Sequence, residues 1–180
     1  RGGANSTEIR ISSKHIAGFL DRIDILIPLS SGSIPHLKKR ITADTIVIGE
    51  RDKINYENMV DVKFTEMAIA IGDAVFSNTV AAGFICGLLK IDKKECESYI
   101  AEYFSDRKED IQIKNIEAIK KGHDSGAGHS AININIKRSD DVKTHILLSG
   151  ADTVALGAVA GGCNYVSGYP MSPSTSVLEK

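Results

Sequence analysis

The residues best placed to do chemistry stand near the C-terminal end, in the run Gly168-Tyr169-Pro170-Met171-Ser172-Pro173-Ser174-Thr175. A helix start is predicted here, with the Ser172 hydroxyl at the N-cap and Pro173 at the first helical position, where its missing N–H costs nothing. The next N–H groups, from Ser174 and Thr175, would point outward with the positive end of the helix dipole behind them. Such a mouth suits a small anion, a carboxylate or a phosphate. The alternative is an ordinary proline-flanked turn that binds nothing.

Other chemistry-bearing residues give weaker patterns. The five histidines, His15, His36, His123, His129 and His145, show no HExxH or similar metal-binding spacing. His123 and His129 fall in a glycine-rich stretch, where exposed histidines are expected. The three cysteines, Cys86, Cys96 and Cys163, are widely spaced and form no CxxC. Neither a zinc nor an iron–sulfur site is therefore expected from this chain alone, and reduced thiols of a cytoplasmic protein are the simplest reading. Glu95, Glu97 and Glu102 read as solvated helix faces, and no GxSxG nucleophile turn is present. No metal ligands and no catalytic residue are assigned within the chain.

With 180 residues, 42% of them hydrophobic and 25% charged, the chain is one domain, or one domain plus part of another, able to bury a core. A formal net charge of −1 argues against a nucleic-acid surface built on bulk charge. Lys38-Lys39-Arg40 reads as a solvated helix end. No apolar run approaches a membrane span, and no signal-peptide pattern is visible. The opening at Arg1 without methionine, and the end at Lys180 one turn into a predicted helix, are read as signs of a fragment.

The elements that must position the C-terminal turn follow from hydrophobic periodicity. Thr7 to Ser12 alternates and predicts a strand. Ile23 to Leu29 is nearly all apolar, as expected of a strand buried on both faces of a parallel sheet. Thr45 to Gly49 predicts a further strand, and Val60 to Phe64 a weaker one. Helices are predicted over Ile34–Ile41, Thr65–Gly72 and Phe76–Leu89, the last buried on most sides. Asn78-Thr79 is read as capping that buried helix. Asp92 caps another helix to about Phe104, and one more runs from Lys108 to Lys121. Gly122 to Ser130, with three glycines and small polar residues, reads as a linker. Ala131 to Ile136 alternates as an edge strand or an extended segment, and Ala151 to Gly162 is a small-residue helix. The fold class is α/β: a layered, Rossmann-like domain with a mostly parallel sheet over residues 1–121, a linker over 122–143, and a second unit over 144–180.

The run Gly168 to Thr175, preceded by Gly150-Ala151-Asp152-Thr153-Val154-Ala155-Leu156-Gly157-Ala158, resembles the start of the pyrimidine-binding domain of 2-oxoacid:ferredoxin (acceptor) oxidoreductases. The usual turn of that family reads Tyr-Pro-Ile-Thr-Pro-Ser. This chain has Met171 for the isoleucine and Ser172 for the threonine, keeping the hydroxyl and losing the methyl. Arg1-Gly2-Gly3 with Asn5-Ser6 is similar to the Arg-Gly-Gly segment of the family's gamma domain. Asn78-Thr79-Val80-Ala81-Ala82-Gly83 is similar to its Asn-Thr-Val-Ala-Leu-Gly helix start, and Asp92 to Gly122 resembles its closing helices. The order is that of fused gamma–alpha chains. The family's opening Gly-x-Gly-Gly-Gln-Gly turn is not present, and its catalytic glutamate lies beyond Lys180.

The resemblance implies a thiamine diphosphate enzyme that oxidatively decarboxylates a 2-oxoacid to acyl-CoA and CO2 and reduces ferredoxin, with 2-oxoglutarate favoured by the gamma–alpha order. It implies a partner beta subunit that shares the thiamine diphosphate and carries the iron–sulfur cluster, coenzyme A as co-substrate, and a multisubunit assembly. Ser172 would hold the substrate carboxylate together with N–H groups near Pro173 and Ser174, while Tyr169 and Pro170 would line the approach to the cofactor. Arg1, Gly2 and Gly3 would form a plain loop or approach a ligand or partner, and Asn78 and Thr79 would cap a helix or face an interface or coenzyme A. Alone, the chain would be inactive. The alternatives are a non-catalytic α/β assembly module, or an unrelated nucleotide-binding domain whose phosphate loop would lie upstream of Arg1.

Overall fold

The computed structural model describes residues 5–12, 14, 16, 18–129, 134, 139–172 and 174–179. It divides into two units, Arg1–Lys137 and Arg138–Lys180.

The first unit is built on a three-stranded parallel sheet in the order β1 (Ile25–Leu26), β2 (Ile46–Gly49), β3 (Met59–Asp61). Ile25 pairs with Ile46, Val47 with Met59 and Gly49 with Asp61. Alternate residues of each strand face opposite sides, and the core follows this period. Leu26, Val47 and Met59 pack with Leu37 of α1 (Ser33–Leu37) and Ile54 on one face. Ile48 packs on the other, with Phe64 and Ala68 of α2 (Phe64–Ile69), Val80 and Phe84 of α3 (Ser77–Leu88), and Ala118. Both faces are covered, so the unbroken apolar run near Ile25 and the β-branched run at β2 are explained by the same geometry. The strands are shorter than the sequence predicts: β1 holds two residues of the expected Ile23–Leu29.

Two helices close the unit beside α3. In α4 (Lys93–Tyr103), Asp92 is the N-cap, its carboxylate accepting from the N–H groups of Lys94 at 2.9 Å and Glu95 at 3.2 Å. The other, α5, runs over Glu109–Ala127, well past Lys121. Here the expected linker is overturned over residues 122–127. Gly122 and Gly126 are buried helical residues, not flexible ones. A Cβ on Gly122 would lie 2.0 Å from the Val80 carbonyl oxygen, and one on Gly126 2.1 Å from that of Phe84. The contact is reciprocal: a Cβ on Gly83 would meet the Ile119 carbonyl at 2.3 Å, and one on Gly87 that of His123 at 2.1 Å. Each helix offers a pair of glycines one turn apart, and the two backbones touch. Glycine inside a helix costs about 1 kcal/mol relative to alanine, but it alone admits this approach.

A second expectation also fails. Thr7 to Ser12 forms no strand; its residues are exposed, Ile9 at 76%, and no strand pairs with them. Alternation alone does not make a strand where no sheet edge receives it. Of Ala131 to Ile136 only Ile134 is described, half-buried against the cluster of Ile48, Phe64 and Phe84; the predicted edge strand otherwise lies outside the described residues.

In the second unit, Ser139 caps a short 3-10 turn over Asp140–Thr144. The helix α6 (Gly150–Ala160) is where the sequence places it, opened by a reciprocal capping box. The Ser149 hydroxyl accepts from the Asp152 N–H at 3.2 Å, and the Asp152 carboxylate accepts from the Ser149 N–H at 3.0 Å. No residue of α6 is buried within the unit. Residues 163–169 follow without regular structure, leading to the single turn α7 (Thr175–Leu178).

Candidate functional site

The turn from Gly168 to α7 is more self-contained than the sequence predicts. The helix begins two residues later: its N-cap is Ser174, not Ser172. The Ser174 hydroxyl lies 2.8 Å from the Tyr169 carbonyl and 2.7 Å from that of Met171, and donates within the turn. Its N–H donates to the Met171 carbonyl at 3.1 Å, so it is not offered to a ligand. The Met171 N–H in turn bonds the Tyr169 carbonyl at 2.7 Å, and Leu178 packs back onto Gly168. Ser172 and Pro170 are exposed, as is Tyr169. Pro173 lies outside the described residues. Two hydroxyls flanking one proline allow two capping registers, and the hydrogen bonds back to Tyr169 and Met171 select the later one.

The first-unit candidates are put to structural use. Thr79 is not a cap: it sits inside α3, and its hydroxyl donates to the buried Asn115 side-chain oxygen on α5 at 2.7 Å. Asn115 donates onward to the Ile111 carbonyl at 2.8 Å. The capping carboxylate is upstream, where Asp73 accepts from the Val75 N–H at 2.8 Å and starts the 3-10 turn that leads into α3. Asn78 is exposed on the first turn of α3. Arg1, Gly2 and Gly3 lie outside the described residues.

Sequence reasoning passed over a charged cluster at the carboxyl ends of the strands, where open parallel sheets bind ligands. Glu50 follows β2 directly. Its carboxylate accepts from the Thr65 N–H and hydroxyl, each at 2.9 Å, and pairs with the Lys53 ammonium at 2.8 Å. Burial pushes its pKa up, but the bonds from Lys53 and Thr65 prevail and hold it below the ordinary 4.5. Asp61, at the end of β3, accepts from the Arg51 N–H at 2.9 Å. That backbone bond, with Lys63 nearby, holds its carboxyl below the ordinary range. The Arg51 guanidinium donates to the carbonyls of Glu57 at 3.1 Å and Met59 at 2.9 Å. These bonds fix the 50–58 loop and tie it to Thr65 on α2. The signal that points to them is position: a carboxylate immediately after a β-branched strand.

The histidines divide. His123 is buried on α5, not exposed as expected, and its Nε2 donates to the Ile91 carbonyl at 2.8 Å. Its Nδ1 finds no hydrogen-bond partner among the described residues. The ring of His129 packs edge-on to Phe84, 5.7 Å between centroids. Among the described residues no group of three or more His, Cys, Asp or Glu gathers as a metal site requires, and no helix is long and apolar enough to cross a membrane. Cys86 and Cys96, on successive helices, meet in one apolar cluster with Ile100 and Ile119.

Residues 1–125 match the family model described as pyruvate ferredoxin/flavodoxin oxidoreductase. The chain belongs to this family. Its fold is also that of a solved structure, "2-oxoglutarate:ferredoxin oxidoreductase from Magnetococcus marinus with 2-oxoglutarate, coenzyme A and succinyl-CoA bound", with a TM-score of 0.78 at 22% identity. The likeness covers 93% of this chain, more than the first unit holds, and 31% of that one, so the chain spans about a third of the length of its structural neighbour. No curated protein matches. The pyruvate ferredoxin/flavodoxin oxidoreductase match covers the sheet, α1 to α4 and most of α5.

Proposed function

We propose that the chain is the gamma-type domain and the opening of the pyrimidine-binding domain of a fused gamma–alpha subunit in a 2-oxoacid:ferredoxin oxidoreductase. The whole enzyme converts a 2-oxoacid, coenzyme A and oxidised ferredoxin into acyl-CoA, CO2 and reduced ferredoxin in the cytoplasm. The observation that carries this reading is the family match over residues 1–125, together with a fold likeness that continues past it into the second unit. The neighbour's bound 2-oxoglutarate and coenzyme A favour 2-oxoglutarate as the substrate.

Thiamine diphosphate supplies the carbanion chemistry when bound. The described residues of this chain do not fit it by themselves: the Ser174 hydroxyl and N–H are consumed inside the turn, and Tyr169 is exposed. A beta subunit that shares the cofactor and carries the iron–sulfur cluster would complete the site. What this chain contributes is placement. The exposed Ser172 hydroxyl donates to the substrate carboxylate, a charge-assisted bond of about 1.5–3 kcal/mol. Tyr169 and Pro170 border the approach, and Ser174 holds the turn in shape. Asn78, Arg1, Gly2 and Gly3 are left as interface positions, with Thr79 turned inward to Asn115.

The test is co-expression of the intact gene product with the adjacent beta-type subunit, then an assay of coenzyme A-dependent ferredoxin reduction across several 2-oxoacids. Reduction with 2-oxoglutarate that requires thiamine diphosphate supports the reading; no thiamine dependence with any 2-oxoacid sinks it. A non-catalytic assembly module is the second reading. It is favoured by the Glu50, Arg51 and Asp61 cluster bonding within its own loop and to Thr65 of α2.

A further inference from the structure

We propose that Cys86 and Cys96 are a redox-active pair that a hydroperoxide closes into a disulfide, stapling α3 to α4. Cys86 sits in the last turn of α3 and Cys96 in the first turn of α4. The short reversal between them is fixed at both ends, since the Ile91 N–H bonds the Cys86 carbonyl at 3.0 Å and the Cys96 N–H bonds the Asp92 carbonyl at 3.2 Å. The His123 ring on α5 holds the same reversal through the Ile91 carbonyl. Both thiols fall in one cluster, closed by Ile100, Ile116, Ile119 and Phe104. Cys96 is buried, while Cys86 is only half-buried and gives a small oxidant its way in. No other thiol competes within the unit among the described residues, because Cys163 belongs to the second. This pair goes beyond the proposed reaction and plays no part in it.

The step balances without a metal. One thiol sulfur attacks the outer peroxide oxygen, the O–O bond breaks, and an alcohol or water leaves as a sulfenic acid forms. The second sulfur then displaces the hydroxyl as water, and the S–S bond closes. The two sulfurs lose two electrons between them, and the peroxide takes both. Burial, with Cys96 beside it, pushes the Cys86 thiol up to about 12, so Cys86 stays in the thiol form at neutral pH and closure is slow. Slow closure makes it a response to sustained rather than fleeting oxidant.

The test treats the reduced full-length chain with hydrogen peroxide, quenches in acid, alkylates the remaining thiols and maps the peptides by mass. The expected result is a linked pair of peptides joining Cys86 to Cys96, lighter by two hydrogens, with Cys163 not joined to either and both thiols recovered on reduction with dithiothreitol. Cys163→Ser leaves the closure unchanged, and Cys96→Ser diverts Cys86 to the sulfinic acid. Full alkylation of both cysteines after peroxide overturns the proposal. So does irreversible oxidation of Cys86 in the wild-type chain without a linked peptide, or pairing of either with Cys163.

Discussion

Two helices of this chain are rich in small residues, and glycine does opposite work in them. On α5, Gly122 and Gly126 press against carbonyl oxygens of α3, and no larger residue fits. On α6, Gly150 and Gly157 meet nothing within 4 Å of where a Cβ would stand. The compositions look alike, GHDSGA against GADTVALGA, yet one is the tightest seam of the first unit and the other is held by its own cap. What separates them is the partner helix. The conformational cost of glycine is the same in both, and only the α3–α5 seam converts it into contact.

The largest effect that tests this contrast comes from Gly122→Ala. Because the obstruction is backbone and not a movable side-chain end, we expect a loss of about 3 kcal/mol or more of stability. Hydrogen exchange resolved by peptide should show protection lost across α3 and α5 and unchanged in α6; a neutral Gly122→Ala would break the comparison. Next comes Asn115→Ala, which removes the partner of Thr79 at the same seam. A loss of about 1–3 kcal/mol is expected in denaturant unfolding, with little change from Asn78→Ala on the exposed side. Gly157→Ala sharpens the other half: an exposed helix position with open space should gain up to about 1 kcal/mol, read as a higher helical signal in α6. A loss there would mean that α6 has a close neighbour of its own.

The smallest effect concerns pH. The Glu50 carboxyl is held below its ordinary 4.5 in the fold, so its contribution is present above that value and is lost as pH falls through the lowered one. Glu50→Gln should cost about 0.5 kcal/mol at neutral pH, and the difference from wild type should vanish in acid. A difference that grows toward low pH would reverse the assignment. For the second unit, Ser172→Ala in the assembled enzyme should raise KM for the 2-oxoacid with kcat little changed; unchanged kinetics would remove Ser172 from the substrate site.

Much of the frame was legible because its signals are local. A β-branched run made β2, an aspartate followed by a charged turn made the start of α4, and small apolar residues made α3 and α6. The glycines at 122 and 126 misled because a helix breaker and a helix-packing residue are the same residue. The usable signal was double, a four-residue glycine spacing repeated in α3 and α5, and it carries meaning only when the two are read together. Thr7 to Ser12 misled for the mirror reason, having the right alternation and no edge to pair with. At the C-terminal turn the chemistry of the residues was readable, but the choice between Ser172 and Ser174 as the cap depended on which carbonyl each hydroxyl could reach. The Glu50 cluster was hidden because its members are charged residues scattered over 50–65, brought together only by the parallel crossing of β2 and β3.

The four-glycine seam also sets how this domain can drift. Most buried positions accept neighbours of similar volume, so a core can be rewritten gradually, one compensating exchange at a time. Here the opposing surface is main chain, which no substitution elsewhere can trim. A library randomising positions 83, 87, 122 and 126 together should return the starting residue at each, while the positions around them diversify freely.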